Sequence, residues 1–231
     1  MVFAHRGGSA LAPENTMAAF DRGTASGVDG LELDVHLSRD GVVVVHHDRT
    51  LDRTTTLRGP LAARSAAELE RANVPTLAGV LARHRDVRVI IELKVNSKAL
   101  AAAVVDAVRQ AGAVDRVCLG SFGYRVLHAA RRLEPKIATS AAREEVRWAL
   151  YRSWCRWPVT SVGYGGYQIP EFAGATRVVS PRFVDYAHRA GLGVQVWTVD
   201  TPDAARRLLD WGVDALITDR PDVIAPLVRG M

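Results

Sequence analysis

The chain has 231 residues, of which 48% are hydrophobic and 24% charged, so it has a globular composition, not that of a disordered or fibrous protein. No stretch approaches the ~18 apolar residues that a membrane span needs, and no signal peptide is visible. Cys118 and Cys155 suit neither a disulfide framework nor a zinc site, so we expect a reduced, cytoplasmic protein. The net charge of +5 comes from scattered arginines, which an anionic small substrate or an acidic lipid surface explains as well as nucleic acid does.

Short β-branched runs alternate with helical patterns, which is typical of βα units and a parallel sheet. The predicted strands are Met1–His5, Gly30–Leu37, Val87–Lys94, Arg116–Ser121, Lys136–Ser140, Thr160–Tyr164, Gly193–Val199 and Ala215–Asp219. The predicted helices are Thr16–Ser26, Thr76–His84, Lys98–Ala111, Tyr124–Leu133, Arg143–Trp154, Pro181–Ala190, Asp203–Trp211 and Pro221–Val228. Eight of each at this length favour an α/β fold of the (β/α)8 TIM-barrel type. A doubly wound sheet is less favoured, because no glycine-rich dinucleotide motif follows the first strand.

One segment interrupts this alternation after the second strand. Asp40 and Gly41 predict a turn that leads into a further strand, Val42–Val45. Residues 48–73 then form a short polar insertion with one helical piece near Ser65–Arg71. Because no linker or low-complexity tract is visible, we expect residues 1–231 to form a single domain.

Carboxylates are concentrated on two of the predicted strands. Glu32 and Asp34 are two residues apart, and Glu92 and Lys94 repeat that spacing, so each pair points to one face of the sheet. Three carboxylates meeting at the catalytic end of a barrel would repel one another without a cation between them. An oxygen-only cluster suits Mg2+ or Ca2+ better than zinc. The residues of either strand alone would be explained by simple ion pairs, such as Lys94 with Glu92. The carboxylates of both strands together predict one bound divalent cation.

Two histidines and an arginine are predicted at the same pocket. His5 and Arg6 close the first strand, where the planar fork of arginine matches phosphate oxygens and histidine can move a proton near neutrality. His47 ends the extra strand and reaches the pocket, whereas His46 points the opposite way by strand alternation. Trp197 ends the seventh strand, where it either walls the organic part of a substrate or belongs to the core.

Several neighbouring residues receive simpler interpretations. Gly7 and Gly8 are expected to let the backbone approach the same anion. Asn15 or Thr16 is predicted to cap the first helix, and His36 is predicted to be a rim residue past the end of its strand.

The motifs, taken in order, resemble those of the glycerophosphodiester phosphodiesterase family. They are His5-Arg6-Gly7, Pro13-Glu14-Asn15-Thr16, Glu32-Leu33-Asp34, Val45-His46-His47-Asp48, Leu51-Asp52-Arg53-Thr54-Thr55, Ile91-Glu92-Leu93-Lys94, Ser121-Phe122, Val196-Trp197-Thr198-Val199-Asp200 and Ile217-Thr218-Asp219-Arg220-Pro221. The resemblance implies a (β/α)8 barrel that hydrolyses glycerophosphodiesters to glycerol 3-phosphate and an alcohol. It implies the following roles: metal ligands Glu32, Asp34 and Glu92; the acid–base pair His5 and His47; phosphate contacts Arg6 and Lys94. The short insertion leaves the specificity for the alcohol open.

Other function classes remain open on sequence alone. A lysophospholipase D would use the same site with a more apolar entrance. A non-catalytic barrel that only binds an anion is disfavoured, because all the expected metal and proton-transfer positions are filled. A nucleic-acid binder would need clustered cations and interleaved aromatic residues, and only residues 143–157 come near that pattern.

This segment, residues 143–157, is rich in aromatic residues and arginine. Val146, Leu150, Trp154 and Trp157 follow helical spacing and are predicted to be the face that packs on the barrel. Trp148 and Tyr151 lie off that stripe beside basic residues, as in helices that rest on an acidic lipid surface. We therefore expect these two side chains to be partly exposed near the pocket and to favour lysolipid or membrane-proximal substrates.

Overall fold

The computed structural model describes residues 1–158 and 162–231, and within them the chain alternates strands with helices. The strands are β1 (Val2–Ala4), β2 (Gly30–Leu37), β3 (Val43–Val45), β4 (Arg88–Leu93), β5 (Val117–Gly120), β6 (Ala138–Thr139), β7 (Gly166–Pro170), β8 (Phe172–Ala173), β9 (Thr176–Arg177), β10 (Gly193–Trp197) and β11 (Ala215–Thr218). Apart from β3, β8 and β9, these strands run parallel in the order β6-β5-β4-β2-β1-β11-β10-β7. A parallel bridge between Ser140 and Gly166 joins the two ends, so the sheet is a nearly closed barrel.

The helices are α1 (Met17–Ala25), α2 (Ala66–Arg71), α3 (Leu77–Arg83), α4 (Lys98–Gln110), α5 (Tyr124–Leu133), α6 (Arg143–Cys155), α7 (Pro181–His188), α8 (Pro202–Asp210) and α9 (Pro221–Arg229). Apart from α2, one of these described helices follows each strand of the barrel, which confirms the predicted (β/α)8 fold. In the part of the chain that the structure describes, no helix is both long and apolar enough to cross a membrane.

Local sequence explains where the helices begin. Six of the described helices start at a serine or threonine whose side chain accepts a hydrogen bond from the backbone N–H three residues later: Thr16, Ser65, Thr76, Ser97, Ser180 and Thr201. Such caps satisfy an amide that would otherwise have no partner at the helix end. Strand β2 is buried along almost its whole length, as expected for a parallel strand that helices cover on one side and the barrel interior on the other.

The insertion after β2 has a small core of its own. Strand β3 pairs antiparallel with β2, with Val35 opposite Val45. A separate buried cluster joins Val44 to residues of the insertion, namely Leu51, Leu61, Ala66, Leu69 and Val74. Helix α2 begins with a capping box in which Ser65 and Glu68 bond each other's backbone N–H. The predicted extra strand and short helix are both present.

The prediction for the sixth barrel strand, Thr160–Tyr164, is wrong. Thr160 and Ser161 lie outside the described residues, and Val162–Tyr164 is not strand. The strand is β7, which pairs over five residues with β10. Its burial alternates, with Tyr167 and Ile169 buried on the helix side. The segment GYQIP contains only one β-branched residue and ends in proline, so it has little of the composition typical of strands.

Candidate active site

Three carboxylates meet inside the barrel on β2 and β4. Asp34 and Glu92 are direct partners in the parallel register, and Glu32 lies two residues before Asp34 on the same face. One oxygen from each of the three residues lies within 4.8 Å of the others. Glu32 and Asp34 are buried, and Glu92 is partly exposed. The predicted convergence of these residues is therefore confirmed.

Two cations and an amide surround Asp34. The Nζ of Lys94 lies 3.3 Å from Asp34 Oδ1 and 3.2 Å from Glu92 Oε1, and the Nε of Arg6 lies 3.4 Å from Asp34 Oδ2. The Nδ2 of Asn15 donates to Asp34 Oδ2 at 2.8 Å. Burial alone would raise the pKa of Asp34, but Lys94 and Arg6 outweigh it and hold the pKa below its usual value. These contacts favour the ionised form of Asp34.

Glu32 and Glu92 lack this degree of compensation. Burial, helped by the negative charge of Asp34, raises the pKa of Glu32 to about 8. Burial also raises the pKa of Glu92, although Lys94 opposes the shift. Glu32 accepts one backbone N–H, from Arg6 at 3.0 Å. The expected Lys94–Glu92 ion pair exists, yet the cluster still has more buried negative charge than its cations neutralise. An all-oxygen donor set with this deficit fits a hard divalent cation.

His5 is oriented by a carboxylate from the opposite end of the chain. Its Nδ1 is 2.7 Å from Asp219 Oδ1, an atom that also accepts the hydroxyl of Ser9 at 2.5 Å. Its Nε2 faces the cluster, 3.9 Å from Glu32 Oε2. Burial would lower the pKa of His5, but Glu32 and Asp219 outweigh burial and raise it. With Nδ1 held by Asp219, the Nε2 atom is the one directed toward the site.

His47 is held in the same manner by its neighbour in sequence. Its Nδ1 lies 2.6 Å from Asp48 Oδ1, and Arg53 Nε donates to Asp48 Oδ2 at 2.6 Å. Arg53 also bonds both carboxylate oxygens of Glu14, which in turn accepts Arg6 at 3.0 Å. The hydrogen bonds of Arg53 and His47 hold the pKa of Asp48 well below its usual range. A continuous chain of ion pairs thus connects His47 with Arg6.

The orientations predicted for the paired histidines are correct. His47 lines the cavity described below, whereas His46 is buried away from it and bonds the carbonyl of Thr50 at 3.1 Å. The rim prediction for His36 is wrong, because β2 continues through this residue. His36 is buried and its Nε2 is 3.1 Å from the carbonyl of His47.

The structure adds detail to two of the simpler interpretations. Thr16 caps α1 as expected, but Asn15 is buried and binds Asp34 instead of acting as a cap. A Cβ at Gly7 would lie 2.8 Å from Ala19 of α1, and one at Gly8 would lie 2.7 Å from a ring atom of Pro221. Both glycines also have positive φ, so helix packing and backbone conformation require them here.

The cluster and both histidines open into a cavity of about 800 Å³. Its lining includes the polar groups His5, Arg6, Glu32, His47, Glu92 and Lys94. It also includes six apolar residues, which we call the apolar wall: Phe122, Val146, Leu150, Ile169, Phe172 and Trp197. Trp197 meets Phe122 edge to face with ring centroids 6.0 Å apart. Of the two positions that the sequence left open, it lines the cavity and also packs against buried core residues. Arg143 and Arg147 of α6 also reach this cavity.

Helix α6 does not have the burial pattern that its spacing predicts. Trp148 and Tyr151 are exposed, at 63% and 50%, which confirms that part of the prediction. Trp154 and Trp157 are exposed too, at 51% and 55%, so the prediction that they pack on the barrel is wrong. The helix buries Ala149 and Ser153 instead. The residues that this helix buries are therefore small, and both indoles lie on its outside.

Several residues that organise the site have no individual role predicted from sequence. Asp219, Asp48 and Arg53 occur in the motifs ITDRP, HHD and LDRTT, and Glu14 occurs in PENT. A carboxylate beside a histidine in HHD was an available signal for Asp48. For Asp219 no local signal exists, because His5 is 214 residues away in the chain. Arg53 lies five residues from Asp48, but its other partner, Glu14, is 39 residues away.

Fold and site together define a class of protein. A parallel barrel that gathers carboxylates, two histidines and two cations beside a cavity has the arrangement of a TIM-barrel enzyme. Residues 5–223 match the model of the glycerophosphoryl diester phosphodiesterase family. The chain belongs to this family and is a phosphoric diester hydrolase.

Individual relatives agree over nearly the whole chain. It is 34% identical to "Probable glycerophosphodiester phosphodiesterase 2" of Mycobacterium tuberculosis, over 97% of this chain and 89% of that protein. It is 30% identical to a glycerophosphodiester phosphodiesterase of Caldanaerobacter subterraneus subsp. tengcongensis, over 99% and 98% of the two chains. Among solved structures, the chain is similar to a phosphodiesterase of Oleispira antarctica in complex with the product sn-glycerol-3-phosphate. The two structures superpose with a TM-score of 0.82 at 27% sequence identity, over 99% of this chain and 96% of that chain.

Proposed function

We propose that this protein hydrolyses glycerophosphodiesters to sn-glycerol 3-phosphate and an alcohol, with His5 and His47 as the proton-transfer pair. The observation that carries the proposal is the pairing of each histidine with a carboxylate at Nδ1, His5 with Asp219 and His47 with Asp48. Such pairing leaves Nε2 as the atom available to exchange a proton with a substrate. Both histidines line one cavity together with the carboxylate cluster. The family match and the glycerol 3-phosphate complex of the Oleispira antarctica enzyme support the substrate class.

In the proposed reaction the two histidines have complementary tasks. One accepts the proton of the attacking hydroxyl, from water or from the 2-hydroxyl of the glycerol group, as a new P–O bond forms. The other donates a proton to the leaving alkoxide oxygen as the old P–O bond breaks. With water as the attacker this gives glycerol 3-phosphate directly. With the 2-hydroxyl a cyclic diester forms first and a second hydrolysis opens it.

In this proposal Glu32, Asp34 and Glu92 hold a divalent cation, Mg2+ or Ca2+. When bound, the cation withdraws negative charge from the nonbridging phosphate oxygens. Arg6 and Lys94 are proposed to bind the same phosphate, since both positive groups already lie within 3.4 Å of the cluster. The fork of Arg6 and the point charge of Lys94 would share the phosphate between them.

The apolar wall of the cavity would receive the alcohol. Trp197 and Phe122 present ring surfaces next to the polar half, and Phe172 continues the wall. A lysolipid could use the same wall, but the names of the relatives favour glycerophosphodiesters without an acyl chain. We therefore propose the glycerophosphodiester as the substrate and the lysolipid as the comparison.

Turnover assays test this proposal directly. Glycerophosphocholine, glycerophosphoethanolamine and a lysophosphatidylcholine would each be supplied with Mg2+, with Ca2+ or with a chelator. Release of the head-group alcohol, choline or ethanolamine, would be measured for all three substrates, and glycerol 3-phosphate for the first two. We expect release from the first two substrates with a metal ion and none with the chelator. Full activity in excess chelator would refute the metal assignment. A faster reaction on the lysolipid would refute the proposed substrate class.

A further inference from the structure

The outward side of α6 and the residues that follow it carry an unusual concentration of exposed aromatic rings. We call Trp148, Tyr151, Trp154 and Trp157 the aromatic face, and each is at least half exposed. The ring centroids of Trp148 and Tyr151 are 6.4 Å apart, as are those of Tyr151 and Trp157. Trp148, Tyr151 and Trp157 therefore form one contiguous patch, and Trp154 is exposed on the same segment. Soluble proteins seldom expose contiguous apolar patches of this kind without an interaction that uses them.

Packing of α6 does not require the aromatic face. The helix buries Ala149 and Ser153 and half-buries Val146 and Leu150. The hydroxyl of Ser153 donates a hydrogen bond within the helix, to the carbonyl oxygen of Leu150. Because these four residues make the inward contacts, the aromatic rings are on the surface for a reason other than stability of the fold.

Arginines surround the aromatic face. Arg143, Arg147 and Arg156 are exposed on the same segment, and Glu144 is the only exposed acid among residues 143–158. Arg182 of α7 is also exposed, and it lines a second cavity, of about 670 Å³, together with Arg156 and Trp157. Arg189 lines the same cavity but is paired with Asp185. The surface therefore combines amphipathic rings with a local excess of positive charge.

We propose that the aromatic face and its arginines dock the protein on the surface of a membrane that contains anionic phospholipids. Indole and phenol rings favour the interface between headgroups and acyl chains, because one part of each ring is apolar and another forms hydrogen bonds. Arginine binds lipid phosphates with two parallel hydrogen bonds and is attracted by the negative leaflet. A helix with both features lies flat in the interface.

Two other occupants fit these observations less well. In a symmetric dimer the same patch would face itself, which would bring Arg147 and Arg156 against their own copies. Single-stranded nucleic acid stacks its bases on open ring faces. Here the rings meet edge to face, at 89° between Trp148 and Tyr151 and at 78° between Tyr151 and Trp157, so neighbouring rings cover part of those faces.

The docking surface borders the mouth of the catalytic cavity. Arg143 and Arg147 contact both regions, since they are exposed and also line the cavity beside Val146 and Leu150. A protein bound through the aromatic face would hold that mouth at the lipid surface. Binding itself needs no catalysis, so it is independent of the proposed function.

Vesicle co-sedimentation of the full chain tests this proposal. We expect the protein to bind vesicles of equal parts phosphatidylcholine and phosphatidylglycerol, and to bind phosphatidylcholine alone much more weakly. Bromination of the acyl chains should quench tryptophan fluorescence in the first case. The double variant Trp148→Ser/Tyr151→Ser should lose most of this binding while its turnover of soluble glycerophosphocholine stays at the wild-type level, because neither side chain lines the cavity.

Charge variants with matched controls distinguish binding through this surface from attraction by the overall positive charge of the protein. Arg156→Glu/Arg182→Glu should weaken binding by about 20-fold or more, since each arginine near an anionic leaflet contributes about fivefold. Arg85→Glu/Arg132→Glu changes the same charge at exposed positions outside α6 and α7, and Leu133→Ser removes an exposed apolar side chain from α5. Both controls should bind as the wild type does.

Several outcomes would overturn the proposal. They are absence of wild-type binding to the anionic vesicles, equal loss in the control variants, and full retention by the two α6 variants. Tighter binding of a single-stranded oligonucleotide than of vesicles would assign the surface to nucleic acid instead. A concentration-dependent dimer that Trp148→Ser/Tyr151→Ser abolishes, without vesicle binding, would assign it to a second copy.

Discussion

Two imidazoles do the proposed proton chemistry, and each depends on a carboxylate for the direction of its ring. His5→Ala and His47→Ala are each expected to lower kcat by roughly 10²–10⁴-fold, because each removes one proton transfer. Steady-state turnover of glycerophosphocholine measures this. His46→Ala is the matched control and should keep its kcat, with a lower Tm because the buried His46 side chain and its hydrogen bond with the carbonyl of Thr50 are lost. An inactive His46 variant beside an active His47 variant would contradict the assignment.

Leaving-group chemistry distinguishes the two histidines. A diester with a nitrophenol leaving group needs no general acid, because the phenolate departs without a proton. We expect this substrate to restore turnover in one of the two alanine variants and not in the other. Equal rescue of both, measured as nitrophenolate release, would count against a division of labour between acid and base.

Asp219 is expected to position His5 and to set its charge. Since this carboxylate helps to raise the pKa of His5, Asp219→Asn should lower that pKa and move the corresponding limb of the kcat/KM profile to lower pH. Asp222→Asn is the control, because Asp222 pairs with exposed Arg220 and with no histidine. A uniform loss of rate with an unmoved pH profile would mean that Asp219 acts only on folding.

At the scale of elements, the insertion after β2 reaches the site through Arg53. This side chain is half exposed, so its ion pairs contribute little to global stability, but it holds Asp48 and Glu14 in place. Arg53→Ala should lower kcat with almost no change in Tm, because His47 and Arg6 lose their shared support. Arg58→Ala on the same insertion should leave both unchanged, since Arg58 bonds only the carbonyl of Asp52. A drop in Tm that accounts for the lost activity would contradict this.

At the scale of the whole molecule, the buried carboxylate cluster links stability to pH and to metal. The pKa of Glu32 rises from 4.5 to about 8 on folding, so the metal-free folded protein binds the extra proton between these values. The contribution of protonated Glu32 to the stability of the fold is therefore fully present below about pH 4.5. This contribution is lost as the pH rises through about pH 8. In chelator, Tm should fall over this range, and Mg2+ or Ca2+ should raise Tm most at the alkaline end, where the ligand is ionised.

Glu32→Gln should flatten that dependence, because it removes the titrating group. Glu70→Gln, which changes an exposed carboxylate of α2, should reproduce the wild-type curve. Differential scanning calorimetry across the pH range measures both. A wild-type Tm that rises with pH in chelator would show that the cluster is compensated without a metal ion.

Much of the barrel could be predicted from periodicity and capping alone. The bounds of α5 agree at both ends with the predicted helix, the extra strand was predicted from a turn signal, and the short helix of the insertion was predicted near Ser65–Arg71. Strand β7 was missed because glycine and proline at its ends outweigh its single β-branched residue. That residues 1–231 form one domain stays a prediction.

The sequence by itself determined the order of the βα units, the shared face of Glu32 and Asp34, and the family. Alternation with period two and ordered motifs are local properties, so they need no knowledge of the closed barrel. Only the tertiary structure decided that Asp219 meets His5, 214 residues away, because β1 and β11 become neighbours when the sheet closes. It also decided which side of α6 faces water: helical spacing groups residues into stripes, but the space available beside the barrel selects the stripe that is buried.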